Sequence, residues 1–373
     1  MKRDLGNFED LPDFTEEELA VVPLTQSQTI PSSWYTDPRF LDLEKRLVFG
    51  TSWQYVGHES RLPNPGDHII ADIVDNPVVV ARGNDGRLRA FFNVCRHRGG
   101  PLALEDGHGK MLQCKYHGWT YSLEGQLRGV PKFDRTELFD KKDYGLVPLT
   151  LDAWEGLLFV NLVSDSVPLH SVLSGIRERI APFQPSMLKF YRRINYDLRC
   201  NWKVFVDNYL EGYHVPLVHP SLSTILDYQQ YATETLEHYS LQHSPLSEDD
   251  HSYGVQKGGT AFYYQVFPNF MMNILPGRLQ TNLALPVSHN RTRVVFDYYY
   301  PDASGAAMSK IEEDIRCSDL IQKEDVGICE HVQRGLESAA YDKGRFSAEM
   351  ESAVHHFQSL LKRELAKAFR AAF

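Results

Sequence analysis

The sequence predicts an α+β chain in two parts, a mostly β first domain followed by a domain of helices on an antiparallel sheet. Three observations point there. From Trp53 to Val163, short β-branched and aromatic runs are separated by turn residues such as Asn84-Asp85-Gly86, Glu124-Gly125 and Gly129-Val130-Pro131. Beyond Ser164, helical periodicity and strand-like runs alternate. The chain then closes on two long helical stretches, which a sheet with one apolar face can bury.

Taken in order, Trp34, Phe40, Leu41, Leu43, Leu47 and Val48 recur at helical spacing after Pro31-Ser32-Ser33, predicting one helix to Phe49. His68 to Val74, Val78 to Arg82 and Leu88 to Val94 read as strands, with Asn84-Asp85-Gly86 as the turn before the third. Leu112 to Gln113, Thr120 to Leu123 and Trp154 to Leu162 continue the β pattern. The second domain should hold a helix over Leu169 to Phe183, a strand over Tyr191 to Leu198 and a helix over Asn201 to Gly212. Strands follow at Thr260 to Leu275, Leu279 to Pro286 and Thr292 to Tyr300, then helices at Ala307 to Leu336 and Ser347 to Ala371.

The 373 residues suffice for two or three domains with a sizeable core. No apolar run reaches the roughly 18 residues of a membrane span. A net charge of −10 repels a polyanion, which argues against nucleic acid as a partner. Acidic residues including Glu16 to Glu18 occupy the stretch where a signal peptide needs an apolar segment, so a cytoplasmic protein is expected. Five widely spaced cysteines make no secreted disulfide framework and direct attention to metal or redox chemistry. Cys200, Cys317 and Cys329 read as buried small hydrophobes.

Cys95-Arg96-His97 and Cys114-Lys115-Tyr116-His117 form the first constellation. Two thiolates and two imidazoles suit a tetrahedral zinc, or a two-iron cluster in which one iron takes both cysteines and the other both histidines. A structural zinc site usually pairs like ligands at short spacing, whereas here each loop gives one Cys and one His, as a Rieske cluster requires. Gly99, Gly100 and Gly118 allow backbone close to cluster sulfurs, and Trp119 and Tyr121 would shield it. His214 and His219 form the second. Five residues on an unbroken helix would turn them about 140° apart, but Gly212 and Pro216 break the helix and can turn both rings to one metal.

Asn93-Val94-Cys95-Arg96-His97-Arg98-Gly99 with Cys114-Lys115-Tyr116-His117-Gly118-Trp119 resembles the Rieske domain of Rieske non-haem iron oxygenases. The resemblance covers most of the chain. It implies an N-terminal segment and helix over 1–50 packing on the catalytic domain, a Rieske [2Fe-2S] domain over 51–163, and a helix-grip, START-like catalytic domain over 164–373. Cys95, His97, Cys114 and His117 would hold the cluster. His214, His219 and a carboxylate would hold a mononuclear Fe(II) with open positions for O2. Gln322-Lys323-Glu324-Asp325-Val326-Gly327 resembles the segment that returns to the iron, with Asp325 as the ligand and Asp319 and Glu324 as alternatives. Asn208 is placed near the iron. Glu211 matches the acidic residue that, in the family, links a cluster histidine of one subunit to an iron histidine of the next, giving a route from His117 through Glu211 to His214 in a head-to-tail homotrimer.

Within the family, Ile30-Pro31-Ser32-Ser33-Trp34-Tyr35-Thr36 and Asp207-Asn208-Tyr209-Leu210-Glu211 resemble the choline, glycine betaine and carnitine branch; many ring-hydroxylating dioxygenases carry aspartate at the Glu211 position. The implied activity is hydroxylation, with or without N-demethylation, of a small quaternary ammonium substrate, using electrons from NAD(P)H through a separate flavin/ferredoxin-type reductase. No Gly-rich dinucleotide fingerprint follows a strand here, in keeping with a separate reductase. Phe262, Tyr263, Tyr264, Phe267, Phe270, Met271 and Asn273 crowd on the sheet expected to face the iron, and of these Phe262, Tyr264, Phe270 and Asn273 are expected to line the pocket, where rings would face a cation. A substrate carboxylate would need a cationic partner, and the sequence does not choose among Arg278, Arg291 and Arg293. The alternatives are an aromatic ring-hydroxylating dioxygenase or aryl-carboxylate O-demethylase alpha subunit, and a Rieske electron carrier or zinc-stabilised module without mononuclear iron.

Overall fold

The computed structural model describes residues 12–220, 222, 230–246, 259–302, 304–305 and 307–372. Phe49–Leu169 forms one compact unit, and the residues before Phe49 join His170–Phe373 in a second.

In the first unit, β1 (Gln54–His58), β2 (Asp67–Ile73), β3 (Asn76–Arg82), β4 (Leu88–Phe92), β5 (Gly107–His108), β9 (Pro148–Trp154) and β10 (Leu157–Asn161) make a seven-stranded antiparallel sheet in the order β1-β10-β9-β4-β3-β2-β5. β3 buries both faces. Val79 and Ala81 pack into a core with Phe91, Trp119 and Tyr121, while Val78 and Val80 pack into another with Val56, Ile69 and Leu158. The predicted strand Trp154 to Leu162 is a hairpin arm that starts later, because Glu155 (φ +50°) and Gly156 (φ +83°) form a two-residue turn back from β9. A glutamate in the first left-handed position gives a weaker sequence signal than Asn or Asp, so the turn was not expected. A second, three-stranded sheet of β6 (Leu112–Gln113), β7 (Thr120–Tyr121) and β8 (Leu127–Gly129) completes the unit.

The second unit is built on a seven-stranded antiparallel sheet, β11-β17-β16-β15-β14-β13-β12, of β11 (Lys189–Leu198), β12 (Ala232–Thr235), β13 (Tyr239–Pro245), β14 (Thr260–Val266), β15 (Phe270–Leu275), β16 (Arg278–Ser288) and β17 (Arg291–Tyr300). The run Thr260 to Leu275 is two strands rather than one, folded at Phe267-Pro268-Asn269 so that Tyr263 pairs with Asn273. Helix Trp202–Tyr209 is capped by Asn201, whose side chain accepts the Lys203 N–H. The long helix Ala307–Leu336 and the closing helix Ser352–Ala372 agree with expectation, the latter beginning later than Ser347. Leu169 to Phe183, predicted as one helix, is broken into short turns around Gly175 at φ +83°.

The N-terminal segment is likewise interrupted. Pro38 cannot donate to a preceding turn, so one helix ends at Thr36 and another starts at Pro38 under an Asp37 cap. The segment locks into the second unit through polar bonds that are themselves buried. Glu44 Oε1 meets Lys203 Nζ at 2.6 Å with both side chains fully buried, and Trp202 Nε1 donates to Glu44 Oε2. Tyr35 donates to Asp207 Oδ2 at 2.6 Å, and Ile30 N–H to Gln358 Oε1 at 2.9 Å.

Candidate active site

Two loops in the first unit share one hydrogen-bond pattern. Cys95 N–H donates to Gly100 O and Gly99 N–H to Cys95 O; Cys114 N–H donates to Trp119 O and Gly118 N–H to Cys114 O. Each turn needs its glycine, at φ +72° for Gly99 and +74° for Gly118. Lys115 N–H to Pro101 O ties the loops together. A Cβ on Gly100 would come within 3.0 Å of Cys114 Sγ, so the backbone approaches the sulfur as the sequence suggested. His97 stacks on Trp119 and meets His117 edge-on at 4.8 Å between ring centroids.

These residues fit a two-iron cluster. The Nδ1 of His97 is buried with no hydrogen-bond partner, an orphan that a metal would satisfy. Burial, followed by the charges of His117 and Arg98, lowers the His97 pKa and keeps its ring neutral, the form a metal takes. Burial raises the Cys95 thiol, so its ionisation calls for a nearby cation. Tyr121 Oη lies 3.3 Å from Cys95 Sγ and accepts Arg96 N–H, placing a phenol where it can hydrogen-bond the sulfur. His117 is exposed.

In the second unit, His214, His219 and Asp325 present one ligand atom each within 4.8 Å of one another. The helix break predicted from Gly212 and Pro216 is present: Trp202–Tyr209 ends, and the one-turn helix Val215–Val218 separates the two histidines, whose rings lie 5.2 Å apart. Each histidine carries a carboxylate on Nδ1, Glu211 on His214 at 2.6 Å and Glu324 on His219 at 2.7 Å. Those bonds fix both tautomers and leave each Nε2 facing Asp325, at 3.6 and 2.9 Å. Burial opposes charge on His214, but bonds to Asp325 and Glu211 outweigh it and carry its pKa to about 9. Two imidazoles drawn to one buried carboxylate are the donor set of a 2-His-1-carboxylate iron site. Asn208 donates to Asp325 Oδ1 at 2.8 Å. Of the other candidate carboxylates, Asp319 binds Tyr196 and Lys323, whereas Glu324 orients His219, a role the sequence reading did not give it.

The triad opens into a cavity of about 100 Å³. Asn273 is among its lining residues, whereas Phe262, Tyr264 and Phe270 are not. Across the paired strands the wall reads Gln242, Tyr263, Asn273, Gln280, Asn282 and Phe296, and alternation sends Phe262 and Tyr264 to the opposite face, where Phe262 meets Phe183. Phe205, Tyr209 and Tyr231 add rings from outside that wall. No Lys or Arg is among the described lining residues. Arg278 is buried against Asp314 at 2.6 Å, and Arg293 pairs with Asp197 outside the cavity. Cys317 is half-buried rather than buried; Cys200 and Cys329 are buried. Among the described residues no helix is long and apolar enough to cross a membrane.

Comparison with known proteins agrees with this geometry. Residues 52–142 match the Rieske [2Fe-2S] domain, and residues 186–367 the ring hydroxylating alpha subunit catalytic domain. The chain is 37% identical over 360 residues to the chloroplastic choline monooxygenase of Arabidopsis thaliana, covering 92% of this chain and 84% of that protein. It is 31% identical to the carnitine monooxygenase oxygenase subunit of Escherichia coli, over 94% of this chain and 97% of the other. The solved structure of a quaternary ammonium Rieske monooxygenase superposes with a TM-score of 0.88 at 28% identity, covering 95% and 99% of the two chains. Naphthalene 1,2-dioxygenase, at 20% identity and a TM-score of 0.78, shares the fold.

Proposed function

The chain belongs to the family of Rieske ring-hydroxylating oxygenase alpha subunits, and from that premise we propose that it hydroxylates a small quaternary ammonium compound as the oxygenase component of a two-component system. The observation that carries this reading is a His214–His219–Asp325 triad opening into a cavity whose described walls offer aromatic rings and neutral amides but no cationic side chain. A cation over a ring face gains about 0.5 to 2 kcal/mol, while a cationic wall would repel it. Likeness to choline and carnitine monooxygenases points the same way.

In this reading Cys95 and Cys114 hold one cluster iron, His97 and His117 the other, and His214, His219 and Asp325 hold the mononuclear iron. Bound there, the cluster supplies single electrons and the mononuclear iron supplies oxygen activation. The chain's own residues fix the geometry. Glu211 and Glu324 hold the imidazoles with Nε2 inward, Asn208 orients the Asp325 carboxylate, and the rings seat the cation with a C–H bond toward the triad. Glu211 is the bridge that joins the exposed His117 of one protomer to His214 of the next in a head-to-tail trimer. A separate NAD(P)H-dependent reductase provides two electrons, and O2 provides one oxygen atom for the product and one for water. Cys200, Cys317 and Cys329, the cysteines outside the cluster, are free thiols, which accords with a reducing compartment such as the cytoplasm.

The test is a single turnover. Chemically reduced, iron-loaded protein receives O2 and one compound at a time from choline, glycine betaine, carnitine and aryl carboxylates, with products read by mass spectrometry. Oxygen gained by choline, or formaldehyde released from an N-methyl group, supports the proposal. Oxidation of an aryl acid with every ammonium compound untouched overturns it.

A further inference from the structure

The inner stripe of the helix Ala307–Leu336 carries polar side chains at Asp314, Ser318, Gln322, Asp325 and Gln333. Four of these have protein partners. Asp314 binds Arg278 and Tyr300, Ser318 binds Tyr298 and Gln280, Asp325 binds Asn208 and His219, and Gln333 Oε1 accepts Asn201 N–H. Gln322 differs. It is 2% exposed, it lines the cavity one turn before Asp325, and its Nε2 has no hydrogen-bond partner. A buried amide N–H left unpaired costs about 1–3 kcal/mol, which a bound oxygen atom would recover.

We propose that Gln322 is a specificity-determining residue that hydrogen-bonds an uncharged hydroxyl on the ammonium substrate, and so selects hydroxylated cations over carboxylated zwitterions. The proposal rests on the quaternary ammonium reading above. A second amide supports it. Gln280 Oε1 accepts from Arg278 Nη2 and from Ser318 Oγ, so Gln280 Nε2 donates to Asn282 Oδ1 at 2.7 Å. With its oxygen engaged, Asn282 is left with N–H groups to offer on the cavity wall. A hydroxyl both donates and accepts, so it suits these amides. A carboxylate can only accept, and no Lys or Arg is among the described residues of the wall to balance its charge.

The test is calorimetric titration of anaerobic, iron-loaded protein with choline, propyltrimethylammonium, glycine betaine and benzoate, which needs no turnover. Propyltrimethylammonium keeps the shape and charge of choline and replaces its hydroxyl by methyl. Wild type should bind choline roughly 10-fold more tightly than the propyl compound, the size of one neutral hydrogen bond, and glycine betaine more weakly than choline. In Gln322→Met, with cluster spectrum and iron content as in wild type, choline and the propyl compound should agree within about 2-fold. Equal affinities in wild type overturn the proposal without recourse to any variant, as does a loaded Gln322→Met protein that keeps the preference. If no ammonium compound binds wild type and benzoate does, the quaternary ammonium reading itself has failed.

Discussion

Residues 95–119 gather two cysteines and two histidines in one pair of hydrogen-bonded loops, whereas the His214–His219–Asp325 triad joins His219 to an aspartate 106 residues further on. The loops need only their own turns, set by Gly99 and Gly118, and the packing of Trp119 and Tyr121 beneath. The triad needs a broken helix, a long helix in register with it, and a sheet wall across the cavity. A site built locally is fixed by short-range geometry. One built from distant segments inherits every strain in the unit that joins them.

The largest effects should separate the two sites cleanly. Cys114→Ala is expected to abolish the visible absorption of the cluster and all turnover while one iron per chain is still bound at the triad, read by metal analysis. Asp325→Ala should do the converse, keeping the red-brown spectrum, losing the mononuclear iron and lowering turnover by at least roughly 10³-fold, about 4 kcal/mol of barrier. Loss of the cluster spectrum in Asp325→Ala would break the contrast.

Long-range support is probed next. Glu44→Gln leaves the Lys203 ammonium buried without its counter-charge and should cost about 3–5 kcal/mol, seen as a lower melting temperature of the second unit with the cluster spectrum unchanged at ordinary temperature. Asp207 gives a pH test. Burial, against bonds from Tyr35 and Gln358, pushes its carboxyl up to about 7. The folded state therefore holds a proton that the unfolded chain releases near pH 4. Stability from this group is greatest below that pH, declines as pH rises, and levels above about 7, a span of up to about 4 kcal/mol. In Asp207→Asn the decline should disappear from melting curves taken between pH 5 and 8. The smallest effect is Glu324→Gln, which weakens the hold on His219 and should lower iron affinity 10–100-fold, measured by chelator competition.

The same contrast governs what the sequence disclosed. The cluster loops were legible because all four donors and their glycines fall within one short stretch. His214 and His219 were legible from their spacing and the helix breakers beside them, while Asp325 came from family resemblance, since nothing local separates it from Glu324 or Asp319. Only the folded helix shows Glu324 turned to His219 Nδ1. The pocket wall was misread for a related reason. Both faces of the catalytic sheet are covered, so Phe262 and Tyr263 give equal hydrophobic signal, and the fold at Pro268 that sets Tyr263 against Asn273 is invisible in periodicity. Likewise β13, Tyr239–Pro245, is too polar to read as a buried strand, yet Gln242 donates from it to Tyr209 O behind the site.

Because the second unit is interrupted between Val48 and His170 by the whole of the first, the chain leaves the ribosome in an order that matters. Phe49–Leu169 has all its strands and both cluster loops in hand while most of the second unit has yet to be made. Trp34, Phe40 and Glu44, buried in the finished protein, have by then been synthesised without Lys203 or Gln358 to receive them. Vectorial synthesis thus produces a period in which one unit can be complete while an apolar N-terminal arm stands open to solvent, the kind of species that chaperones attend. Closure of that arm waits for the helix Ser352–Ala372, whose Gln358 accepts Ile30 N–H and donates to Tyr35 Oη.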